Sequence, residues 1–122
     1  MIDRLLQMYD QQRSFMELLQ KKRGFPEFPV DLASKAGQKV CKQVAFDAMG
    51  ELFEAIQELR NSKDHRATNV GGFDREHYVE ELVDCLHYFF EITLLSGVSA
   101  DELYDAFMKK GQINCDRINN GY

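Results

Sequence analysis

Residues 2 to 22 place Ile2, Leu5, Leu6, Tyr9, Met16 and Leu19 at intervals that gather them on one side of an α-helix, with polar residues between them. Gly24 and Pro26 end that pattern. The segment Gly24-Phe-Pro-Glu-Phe-Pro29 has to be a loop, because each proline removes a backbone donor and restricts the residue before it. Its two aromatics are free to pack or stack. From about Asp31 to Asn61 the apolar positions Val44, Ala48, Leu52, Ile56 and Leu59 again repeat at helical spacing, while Gly37 and Gly50 weaken the propensity, so the pattern predicts one long or kinked helix. Residues 61 to 73 carry Asn61, Ser62, Asp64, Asn69, Gly71 and Gly72, a composition that favours turns. A third helix is expected from about Asp74 to Ser96. Gly97 fits the position just past its end, and Ser99-Ala-Asp-Glu102 reads as a capping box that opens a fourth helix running to about Ile118.

Four helical segments without alternating β-type stretches, repeats or low-complexity tracts predict an all-α chain, a four- to five-helix bundle forming one domain over residues 1–122. With 44% apolar residues in 122, one core can form without metal or disulfide staples. Cys41, Cys85 and Cys115 are odd in number, far apart and outside any CxxC spacing, which argues against both a disulfide framework and a thiolate zinc site. They are expected to be reduced, with Cys85 in the core. No run approaches the roughly eighteen apolar residues of a membrane span, and the opening Met1-Ile2-Asp3-Arg4 is unlike a basic and then apolar leader. A soluble, cytoplasmic protein without membrane partners is the expectation. The formal net charge of −5 disfavours a general nucleic-acid binder, although an anionic nucleotide can still bind through a bridging divalent cation.

The polar positions are more informative than the apolar ones. On the second helix Asp47, Glu51, Glu54 and Glu58 fall within an arc of about 60° if each residue advances roughly 100°. No lysine or arginine is interleaved with them, so the stripe is either a solvated acidic face or a site for a cation. On the third helix Val79, Leu82, Val83, Leu86, Phe89, Phe90 and Ile92 cover most of the circumference, which predicts a central, buried helix. Glu80, Glu81, Asp84, His87 and Glu91 nevertheless share one narrow side of it, and several buried carboxylates without partners are very costly. Facing Glu51 and Glu54 toward Glu81 and Asp84 across the bundle interior assembles four oxygen donors, a hard set that suits Mg²⁺ or Mn²⁺ better than zinc.

Glu51-Leu-Phe-Glu54 followed by Glu81-Leu-Val-Asp84 resembles the paired ExxE and ExxD motifs of the all-α NTP pyrophosphatase superfamily, the MazG-like proteins. The closing segment, Lys110, Asn114, Arg117 and Gly121-Tyr122, is similar to that of the dimeric dUTPases, the group the chain most resembles. The likeness runs over roughly residues 40 to 122. It implies Mg²⁺-dependent hydrolysis of a deoxynucleoside triphosphate, dUTP foremost, to the monophosphate and pyrophosphate. By the same resemblance Glu51, before Glu54, serves as general base, the phosphates are engaged by Lys110, Asn114, Arg117 and Tyr122, and the active form is a homodimer or higher homo-oligomer. A first-helix amide reads the base, for which Gln7, Gln11 and Gln12 are candidates and Gln12 is taken.

Independently of any resemblance, Lys110, Asn114 and Arg117 at i, i+4 and i+7 put two cations and an amide on one helical face, suited to a polyphosphate or simply to the helix macrodipole. The chain departs from the dUTPase pattern in having no tryptophan: Asn61-Ser-Lys-Asp-His-Arg66 stands where the family carries a Phe-Lys-x-Trp-like segment, with Lys63, His65 and Arg66 as further phosphate candidates. Two other functions compete with dUTP hydrolysis. One is a broader or different-base dNTP pyrophosphohydrolase, MazG-like or dCTPase-like; the other is a non-catalytic helical nucleotide-binding or interaction module. A di-iron bundle finds only one acidic-xx-His pair, Asp84 and His87, where two are needed.

Overall fold

A computed structural model describes residues 1–121, and among them the chain is all-helical, with four helices and no strand. They are α1 (Arg4–Arg23), α2 (Lys35–Ile56), α3 (Arg75–Leu95) and α4 (Ala100–Asn119). Each begins where a short polar side chain can take over an orphaned backbone amide. Asp3 accepts from Leu6 N, Ser34 from Gly37 N, Asp74 from His77 N and Ser99 from Glu102 N. The last of these is the Ser99 half of the expected capping box. Gly24 closes α1 in the left-handed conformation, φ 69°, and Gly97 turns the chain after α3 at φ 75°.

The second helix is shorter at both ends than the apolar pattern predicts. Asp31 to Ser34 form a turn in which the Asp31 carboxylate accepts from Ala33 N at 2.9 Å and the Ser34 hydroxyl donates to the Asp31 carbonyl at 2.7 Å. These bonds give the backbone an alternative to helix before Lys35. Gly37 then packs so closely beneath the turn that a Cβ there would fall on the Asp31 carbonyl, so only glycine fits. At the other end, Glu58 N and Leu59 N bond back only three residues, to Ala55 and Ile56, and the tightened last turn releases the chain.

α2 and α3 form the principal pair, α1 packs across α3, and α4 touches the rest through α1. The core is made where α1, α2 and the C-terminal half of α3 meet, from Tyr9, Met16, Val44, Phe90, Leu94 and Leu95, with Ala100 at the start of α4. The Tyr9 ring lies 5.1 Å from that of Phe90, and its hydroxyl donates to Thr93 Oγ1 at 2.6 Å. Phe25, Phe28 and Val30 of the proline loop pack against this core, so the two loop aromatics do pack.

Two expectations need correction. α3 is buried at its C-terminal end alone: Val79, Leu82, Val83, Leu86 and Phe89 lie on its exposed side, because α2 covers one flank, α1 only the end, and no other helix among the described residues packs on the remaining face. Cys85 accordingly sits half-buried rather than in the core; all three cysteines are free. α4 departs from α3 at a bend of 108° and leaves Tyr104, Phe107, Met108 and Ile118 exposed. Among the described residues no single helix is long and apolar enough to cross a membrane.

Candidate metal centre

The faces that α2 and α3 turn toward each other are polar. Asp47, Glu51, Glu54 and Glu58 on α2 and His77, Glu81, Asp84, Tyr88 and Glu91 on α3 recur at alternating steps of four and three, the spacing that keeps side chains on the seam between two packed helices. The apolar residues Phe46, Met49, Phe53 and Ile56 consequently occupy the opposite side of α2, where they are exposed. The exposed apolar face of α3 is likewise the side away from its carboxylates.

At the middle of the seam one carboxylate oxygen from each of Glu51, Glu81 and Asp84 lies within 4.8 Å of the other two. Burial, the neighbouring Glu54 and the charges of Asp84 and Glu81 push the Glu51 carboxyl above its ordinary value. Burial and Glu54 do the same to Glu81, offset in part by His77. Of the sequence-derived donors, the fold brings Glu51, Glu81 and Asp84 together, and Glu54 lies close enough to raise both Glu51 and Glu81.

Glu81 shows what the cluster lacks. Its Oε1 meets His77 Nε2 at 3.1 Å, while His77 Nδ1 meets Glu58 Oε1 at 2.7 Å. The hydrogen bond to Glu58 raises the His77 pKa, and the charges of Glu58, Glu81 and Asp74 add to it against the opposing effect of burial. Glu81 Oε2, in contrast, is buried and has no hydrogen-bond partner. A buried carboxylate oxygen without a donor is expensive unless a cation meets it. The donors are all carboxylate oxygens, as a hard divalent ion requires. By chemistry and position the residues fit Mg²⁺ or Mn²⁺.

The seam continues past this cluster to Glu91, buried beside Asp47, whose carboxyl is pushed up to about 7 first by burial and then by the Asp47 charge. Tyr88 is raised by burial and by Asp47, Glu51, Glu91 and Asp84. His77 and Tyr88 were not singled out from the sequence, though stepping four residues back or seven forward from Glu81 reaches both. Glu80 and His87, grouped there with the acidic side, are exposed and off the seam. His87 instead borders a hollow of about 260 Å³ with Gln11, Gln12 and Phe15, and Gln12 is buried. Gln7 is exposed and does not line it.

Lys110, Asn114 and Arg117 lie on α4, which does not pack against α2 or α3, so within one chain they stand apart from the carboxylates. Tyr122, assigned to phosphate with them, lies outside the described residues. Lys63 and Arg66 line a small hollow in the segment joining α2 to α3, and His65 does not. Among known proteins, no family model, no curated protein and no solved structure matches the chain.

Proposed function

We propose that the protein is a Mg²⁺-dependent deoxynucleoside triphosphate pyrophosphohydrolase, with dUTP as the foremost substrate and Mn²⁺ able to replace Mg²⁺. The observation that carries the reading is the cluster of Glu51, Glu81 and Asp84 carboxylates together with the buried, unpartnered Glu81 Oε2. The resemblance of Glu51-Leu-Phe-Glu54 and Glu81-Leu-Val-Asp84 to pyrophosphatase motifs supports it. Water cleaves the bond between the α and β phosphates, giving the monophosphate and pyrophosphate.

A bound divalent ion would orient the phosphates, neutralise their charge and lower the pKa of a water. Glu54, Glu81 and Asp84 are the residues that would hold it. Glu51 shares that task and accepts the proton of the attacking water, as a carboxyl with a raised pKa is suited to do near neutrality. His77 meets Glu81 Oε1 and leaves Oε2 without a hydrogen-bond partner. Gln12, buried beside Phe15 and His87 about one turn from Asp84, is the residue assigned to read the base. Lys110, Asn114 and Arg117 keep their assignment to phosphate only if a second copy brings its α4 to this groove.

That condition accords with the surface. Phe46 is 64% exposed and Phe53 62% on the back of α2, and Leu82, Val83 and Leu86 are exposed on the back of α3. Exposed apolar helix faces of this kind mark association, and the reading takes a second copy as their occupant. Light scattering should give a dimer or a higher homo-oligomer at micromolar concentration; a monomer there would contradict this part of the reading.

The direct test incubates dUTP, dCTP, dTTP, dATP and dGTP separately with protein and Mg²⁺ and resolves pyrophosphate from single phosphate. Preferential conversion of dUTP to dUMP and pyrophosphate is the expected result. Equal cleavage of several bases would replace dUTP specificity with a broad pyrophosphohydrolase, and absence of cleavage with any of the five would overturn the enzymatic reading.

A further inference from the structure

The segment between α2 and α3 builds two adjoining cavities that share a wall. The larger, about 750 Å³, is bounded by Glu58 and His77 at the end of the acidic seam and by Leu59, Val70 and Phe73. The smaller, about 190 Å³, is lined by Arg60, Asn61, Lys63, Arg66 and Thr68. Arg60 and Asn61 line both. The wall is held in place from within the segment: Asn61 Nδ2 donates to the Val70 carbonyl at 3.4 Å, Arg60 Nε to the Gln57 carbonyl at 3.3 Å, and Arg66 N to the Lys63 carbonyl at 3.2 Å.

The smaller cavity has a composition found nowhere else along the groove. Three cations and two neutral polar side chains line it, without a carboxylate. In a chain of net charge −5, none of these three cations is spent on an ion pair among the described residues, where His77 makes both of the pairs present. Converging cations without counter-charges form a receptor for an anion, and guanidinium groups in particular for phosphate oxygens.

Its position gives the anion a direction. Along α3 the order is His87 beside the Gln12 hollow, then Asp84 and Glu81 in the carboxylate cluster, then His77 at the mouth of the larger cavity. From His87 to His77 the helix advances about 15 Å. An elongated ligand reaching from the carboxylate cluster past His77 would meet carboxylates first and then the cations of the connecting segment.

We propose that Arg60, Lys63 and Arg66 bind the terminal phosphates of the substrate, the pyrophosphate portion that departs. This deepens the pyrophosphohydrolase reading and takes the polarity of the substrate from it. It also assigns, within a single chain, the phosphate-binding role that α4 is too far from the carboxylates to perform. The loop cations stabilise the leaving group through charge-assisted hydrogen bonds, and the carboxylate cluster acts on the other side of the bond that breaks.

The experiment titrates the full chain with inorganic pyrophosphate by calorimetry, in the absence of metal and at low salt, alongside an Arg60→Gln/Lys63→Gln/Arg66→Gln variant and a charge-matched Lys21→Gln/Lys22→Gln/Arg23→Gln variant at the end of α1. All are first shown to retain wild-type helicity by circular dichroism. The loop variant should bind pyrophosphate at least about tenfold more weakly, since a single lost charge-assisted bond suffices for that. The α1 variant should bind as the wild type does. Unchanged affinity in the loop variant, or an equal loss in the α1 variant, overturns the proposal. Tighter binding of a single-stranded oligonucleotide than of pyrophosphate at the same cations also overturns it. Because no turnover is involved, the two readings separate. Pyrophosphate held by the loop in a protein that cleaves no dNTP upholds the anion site and removes the enzyme, whereas dNTP cleavage with a loop variant that binds pyrophosphate normally removes the anion site alone.

Discussion

Glu51→Gln should lower kcat for dNTP hydrolysis by roughly 10²- to 10⁴-fold, the contribution of a positioned general base, while leaving the helical content unchanged. Glu81→Gln should do more, because it removes the carboxylate whose Oε2 is buried without a partner and on which a cation would be centred. The variant is expected to lose both turnover and the response of the melting temperature to Mg²⁺. Any ligand that binds only the folded chain stabilises it in proportion to the logarithm of its concentration, so added Mg²⁺ should raise the wild-type melting temperature steadily above its dissociation constant.

Without metal the order should reverse. Burial and like charges push the Glu51 and Glu81 carboxyls up, which means the cluster opposes folding wherever those groups are ionised. An amide at position 81 relieves that opposition, so in EDTA at neutral pH Glu81→Gln should melt above the wild type. A structural acidic patch engaged by hidden donors would behave oppositely, losing stability on the same substitution. Thermal melts of the two proteins in EDTA and in Mg²⁺ therefore decide between a metal centre and an inert patch, and they do so whatever the substrate is.

Local structure was legible in the sequence because each helix carries its own start and stop signals. Asp74 and Ser99 open α3 and α4 as short polar caps, and Gly24 and Gly97 close α1 and α3 as left-handed residues, all readable without tertiary information. The ends of α2 were not legible in that way. The carboxylate and hydroxyl bonds of Asp31 and Ser34 compete with helix at a point where the apolar period gives no warning, and Gly37 is required by the approach of a carbonyl from outside the helix.

That Glu51, Glu81 and Asp84 come together has a related reason. The period that puts Glu51 and Glu54 on one face, and Glu81 and Asp84 on another, is intrinsic to a helix, and two helices joined by a connecting segment can bring such faces together. What periodicity does not carry is which way a helix leans. The 108° bend after α3 is set by the Gly97 turn and by the packing of Ala100, and it takes Lys110, Asn114 and Arg117 away from the carboxylates. The exposure of Val79, Leu82 and Leu86 follows from how few neighbours one chain supplies to α3, which its own sequence pattern does not reveal.

Glu91 provides the largest pH effect expected of the fold. It is 5% exposed, packed beside Asp47, and its carboxyl is raised from 4.5 to about 7 by burial first and the Asp47 charge second. A carboxyl raised on folding binds its proton more tightly in the native state than in the unfolded chain. Below pH 4.5 both states are protonated and Glu91 costs nothing; between 4.5 and 7 the unfolded chain ionises first; above 7 both are ionised and the full penalty applies. Stability attributable to this residue is therefore lost as pH rises through that window, by about 3 kcal/mol in all. Glu91→Gln keeps the shape and removes the charge, so it should exceed the wild type in stability by about that amount at pH 8 and match it near pH 4. Urea denaturation of the two proteins at both pH values measures the difference directly, and because each comparison is made at one pH, the titration of carboxylates that do not interact with Glu91 cancels. A difference that stays constant between pH 4 and pH 8 would mean that Glu91 keeps an ordinary carboxyl despite its burial, and that water or a donor reaches it in the folded protein.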